Sequence, residues 1–69
     1  MITKKLNGYT VQIAQVQTNP HFRFVTLIDE QGKRHYFNMD KMDGEWFIRN
    51  PDTIPQFIVE IEKDISRIV

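Results

Sequence analysis

The chain has 69 residues, with nine basic and nine acidic side chains in balance and no cysteine. A chain of this length builds one hydrophobic core, so residues 1–69 are read as a single domain with a thin margin of stability that self-association would widen. The composition excludes disulfides, thiolate zinc sites and thiol nucleophiles, gives no strongly basic footprint for tracking phosphates, and suits a reducing, cytoplasmic compartment.

No stretch approaches the roughly 18 apolar residues of a membrane span, and the lysines of Met1 to Gly8 precede no apolar signal region, so no membrane partner is expected. The charge is unevenly spread. Residues 1–28 contain Lys4, Lys5 and Arg23 and no acid, and all nine acidic residues lie in 29–69.

In chain order, Ile2 to Leu6 reads equally as a frayed end or a short edge strand. Tyr9 to Gln15 alternates apolar and polar, with Tyr9, Val11 and Ile13 in phase, as a half-buried strand does. Asn19-Pro20 interrupts the chain after Val16, because proline removes a ladder donor, and a new strand is expected to start near His21.

His21 to Ile28 and Arg34 to Met39 are rich in β-branched and aromatic residues and flank Asp29-Glu30-Gln31-Gly32-Lys33, a hairpin with Gly32 as the left-handed residue of a three-residue loop. That loop sets Asp29 opposite Lys33, Leu27 opposite His35, Val25 opposite Phe37 and Arg23 opposite Met39. Asp43-Gly44 then forms a type I′ turn into Glu45 to Ile48, with Met42 opposite Glu45, Lys41 opposite Trp46 and Met39 opposite Ile48. Strict alternation places Val25, Leu27, Phe37, Met39, Trp46 and Ile48 on one face.

Asn50-Pro51-Asp52 precedes an expected amphipathic helix over Thr53 to Val69, with Thr53 as N-cap, Pro55 in the first turn and Gln56 completing a capping box. Ile54, Phe57, Ile58, Ile61, Ile65 and Ile68 form its apolar stripe, while Glu60, Glu62, Lys63, Asp64, Ser66 and Arg67 fill the solvated side. The expected architecture is α+β: an antiparallel four-stranded β-meander followed by one C-terminal helix packed on one face, ββββα.

No motif identifies a reaction. Glycine occurs only as Gly8, Gly32 and Gly44, so no loop cradles a phosphate, and no nucleotide or other cofactor is expected. His21 and His35 share a face but lie far apart along their strands, which brings no two ring nitrogens to a metal. Glu60 and Asp64, spaced i and i+4, read as solvated helix surface, and Ser66, the only serine, has no histidine near it in sequence. Trp46 has the parity of a core residue beneath the helix rather than of a ligand platform. No catalytic residue is assigned, and an enzyme is the weakest of three functional classes.

The face opposite the helix would carry Phe22, Phe24, Thr26, Ile28, Arg34, Tyr36, Asn38 and Phe47, which is apolar for open water. One helix covers one side of a sheet, so the first expectation is a non-enzymatic interaction or assembly module that homodimerises through Phe22, Phe24, Ile28, Arg34, Tyr36 and Phe47, or docks another protein there. The alternative is a single-stranded nucleic-acid binder using Arg23, Arg34, Phe22, Phe24 and Tyr36, since aromatic rings beside cations stack on bases. In element order, the meander and helix resemble the single-stranded-DNA-binding coactivator and Whirly type of fold, which is dimeric.

Overall fold

Three tight turns with left-handed residues shape the sheet. Asn7 and Gly8 have φ of 49° and 86°, and Asp43 and Gly44 have φ of 53° and 80°, the pairs of positive angles that a two-residue type I′ hairpin requires. Gly32, at φ 83°, closes the intervening three-residue loop, in which the Asp29 N–H donates to the Lys33 carbonyl at 2.9 Å. Gln17-Thr18 turns the chain without a positive φ. Its strands pair out of step between Gln15 and Val16, as expected where turn and strand twist disagree.

The computed structural model describes residues 1–69 and has five strands: β1 (Ile2–Leu6), β2 (Tyr9–Val16), β3 (Asn19–Ile28), β4 (Arg34–Met42) and β5 (Glu45–Ile48). They form one antiparallel sheet in the order β1-β2-β3-β4-β5. The expected α+β meander is therefore one strand larger, because Ile2–Leu6 pairs along its whole length with β2. β3 also begins two residues before His21, with Asn19 paired to Val16. The registers expected for the β3–β4 and β4–β5 hairpins are the ones observed.

The C-terminal segment is shorter and more broken than a helix over Thr53 to Val69. Pro55 is the reason: proline pushes the residue before it out of the helical region, and Ile54 sits at φ −107°, ψ 141°. Thr53 accordingly ends a 3₁₀ turn (Pro51–Thr53), and its hydroxyl donates to the Asn50 carbonyl rather than capping a helix. Helix α1 (Gln56–Glu60) starts beyond the proline with no side-chain cap, and α2 (Glu62–Ile68) follows a break at Ile61. Each contributes one fully buried residue, Ile58 and Ile65 respectively.

Those two isoleucines meet Val11, Ile13, Val25, Leu27, Phe37, Met39, Trp46 and Ile48 in a core without a buried polar residue. All eight sheet residues lie on the helix side, as the alternation demands. α2 runs beside β5, yet the Lys4 ammonium of β1 donates to the Ile68 carbonyl at 2.7 Å. A flat five-stranded sheet would hold its two edges about 19 Å apart, at four spacings of roughly 4.8 Å. Helix α2 and the Lys4 side chain together thus span the inner face from one edge strand to the other. No helix is long and apolar enough to cross a membrane.

Candidate functional site

The outer face is built by alternate residues of β3, β4 and β5. Directly paired residues share a face, so the ladder sorts these side chains into rows across the strands: Ile28 with Arg34, Thr26 with Tyr36, Phe24 with Asn38, and Phe22 with Asp40 and Phe47. Phe24 is 51% exposed, Tyr36 70% and Phe47 38%. Three aromatic rings thus stand open on the side of the sheet that α1 and α2 do not cover.

Within the face the aromatic groups are held in place. The Phe22 and Phe24 rings meet edge to face with centroids 4.9 Å apart, and the Arg49 guanidinium lies 4.8 Å above the Phe22 ring. Arg49 also grips Asp40 bidentately, Nε to Oδ2 at 2.8 Å and Nη2 to Oδ1 at 2.6 Å. That pair holds the Asp40 carboxyl below its ordinary range and raises the guanidinium above its own. Between Phe24 and Tyr36 lies an open depression of about 280 Å³, floored by Thr26 and Asn38 with the backbone of Val25 and Phe37.

Six residues expected on this face, Phe22, Phe24, Ile28, Arg34, Tyr36 and Phe47, are brought together there. Arg23 is not. It pairs with Met39 on the helix side, where its guanidinium lies 4.6 Å from the Trp46 ring and donates to the carbonyls of Pro20 and Phe22. Its parity opposite Met39 is the sequence signal that separates it from its neighbours Phe22 and Phe24. Arg49, in contrast, belongs to the face and lies one residue beyond the strand, where alternation no longer guides the eye.

The remaining polar clusters serve the fold. His35 is joined to Asp29 at 3.0 Å and packs edge to face on Phe57, while Asp29 Oδ1 also accepts the N–H groups of Gln31 and Lys33. His21 lies apart from it, and no three His, Asp or Glu side chains converge. Ser66 and Glu62, read from sequence as solvated, accept the N–H groups of Trp46 and Ile48 at 3.0 and 2.7 Å. Trp46 itself is a core residue, with the Arg23 guanidinium 4.6 Å and the Lys41 ammonium 6.0 Å from its ring.

No protein-family model, curated protein or solved structure matches the chain.

Proposed function

We propose that this protein is a non-enzymatic assembly module of the cytoplasm that homodimerises through the outer face of its sheet. The observation that carries the reading is the exposure of Phe24, Tyr36 and Phe47 on one surface, while α1 and α2 pack only against the other. A monomer leaves these rings in water; a second copy removes them from it at roughly 25 cal/mol per Å² of apolar surface. For a chain of 69 residues that added burial widens a thin margin of stability.

The nucleic-acid alternative loses support from the same geometry. Arg23 stands on the helix side, and Arg49 is neutralised by Asp40. Arg34 and Lys5 are then the unpaired cations of the face, few for a surface that must follow a phosphate backbone.

Sedimentation across a dilution series tests the dimer. A mass of two chains that falls to one on dilution is expected, and replacing Phe24 and Tyr36 together by Ala should shift the chain to monomer. Both side chains are exposed, so circular dichroism should stay unchanged. A wild-type chain that sediments as a monomer at every concentration refutes the reading.

A further inference from the structure

Along β4 the outer-face residues run Arg34, Tyr36, Asn38, Asp40, and along β3, in the same rows, Ile28, Thr26, Phe24, Phe22. Lys5 of β1 extends the basic end and Glu45 of β5 lies beyond the acidic one. A single line across both strands, between the Thr26–Tyr36 row and the Phe24–Asn38 row, divides each series into complementary halves. On one side stand a base and the most protruding ring, Tyr36; on the other stand Asp40, paired with Arg49, and the recessed Asn38.

We infer that, given dimerisation through this face, the twofold axis lies in the interface along that line, so that the strands of the two sheets run in opposite directions. Each row then meets its complement in a second copy of the chain. Arg34 faces the partner's Asp40, Ile28 faces the partner's Phe22, and Tyr36 enters the depression beside the partner's Phe24, above Asn38. Because a twofold interface is isologous, every one of these contacts occurs twice.

Charge selects this axis over the other one available to stacked sheets. An axis along the strands would lay the Arg34 and Lys5 end, whose cations have no carboxylate partner, on its own copy, and like charges across an interface are costly. At the Asp40 and Glu45 end Arg49 already offsets one of the two acids. The strand-reversing axis lays base on acid. Asp40 is held in position by Arg49, and a carboxylate retains lone pairs for a second guanidinium.

Hydrogen bonding points the same way. The Tyr36 hydroxyl, the Asn38 amide and the Thr26 hydroxyl take part in none of the side-chain hydrogen bonds within the chain. All three border the axis. A tyrosine in the partner's depression brings its hydroxyl to an amide that can donate or accept, so the polar floor of the depression is satisfied rather than stranded. Aligned sheets pack at about −30°, so the row matching holds best at the axis, where these groups are.

The test is a charge exchange read by sedimentation. R34E alone and D40K alone should each weaken dimerisation about tenfold, because each sets two like-charged pairs across the interface. Mixed in equal amounts, R34E and D40K should form a heterodimer of about wild-type affinity, since every facing pair is then of opposite sign. If both variants dimerise as the wild type does, the axis is overturned while the dimer itself stands; a monomeric wild type would instead remove the dimer. D40K also breaks the Arg49 pair, so its circular dichroism is compared with the wild type. Should D40K not fold, R34E carries the result by itself: a tenfold loss supports the axis and an unchanged dissociation constant overturns it.

Discussion

The Ser66 hydroxyl oxygen accepts the backbone N–H of Trp46 at 3.0 Å, which makes α2 a cover for the open edge of β5. One turn earlier, Glu62 Oε2 takes the N–H of Ile48 at 2.7 Å. Phe47 and Glu45 point their backbone groups to β4, so Trp46 and Ile48 are the residues whose donors an uncapped edge would leave free. Side chains spaced i and i+4 reach successive outward donors because a helical turn and two strand residues advance by similar lengths.

Removing either acceptor should destabilise the fold without touching the core. E62A strands a half-buried N–H and is expected to lower unfolding stability by about 1–3 kcal/mol; S66A, which loses a neutral bond, by about 1 kcal/mol. Urea unfolding measures both. Values within a few tenths of the wild type would mean that water replaces these acceptors freely.

Acid should unfold the protein partly through Asp29. The hydrogen bond from His35, the backbone N–H of Lys33 and then that of Gln31 hold its carboxyl below the ordinary aspartate range. A carboxylate with a lowered folded-state pKa stabilises the fold above its unfolded pKa, and that contribution fades as pH falls through the folded value. The loss is therefore expected below about pH 4, the unfolded value for aspartate. D29N should flatten the stability profile in that window, as read by urea midpoints at a series of pH values. An equally steep profile in D29N would place the acid sensitivity elsewhere, with Asp40 the next group to test.

The sheet was legible because turn chemistry and alternation agreed. Asp43-Gly44 and Gly32 set the registers, and the registers set the faces, down to Val25 beside Phe37. The same signal at Asn7-Gly8 carries less force in sequence because Lys4 sits at an inward position of β1, where an apolar residue is expected. In the structure its ammonium reaches past the core to the end of α2, a long-range use that local pattern does not reveal. The outer face was legible from parity, apart from Arg49. The edge-covering roles of Ser66 and Glu62 were not, since both fall outside the apolar stripe among charged residues and their partners are backbone groups 20 and 14 residues away.

The helix boundary turned on a conflict between two local rules, and P55A tests which one governs. With alanine at position 55, Ile54 is free to enter the helical region, and Thr53 and Gln56 can form the capping box that proline denies them. Far-UV circular dichroism should gain about one helical turn. Stability should change little: a new cap contributes about 1 kcal/mol, offset by the roughly 0.4–1 kcal/mol lost when proline no longer restrains the unfolded chain. Unchanged helicity would show that packing of Ile54, not Pro55, fixes the start of α1.

The core and the outer face are expected to be coupled through protein concentration. Ile65 is fully buried and is the residue that seats α2, so I65A should cost about 2–5 kcal/mol. A chain of 69 residues has a total stability of about 3–10 kcal/mol, so this one change takes a large share of it. If the folded chain dimerises and the unfolded chain does not, mass action returns part of that loss as concentration rises. The melting temperature of I65A should then climb with protein concentration, and the climb should vanish when Phe24 and Tyr36 are also replaced by Ala. Melting of I65A that is independent of concentration would mean that outer-face contacts contribute nothing to holding the fold.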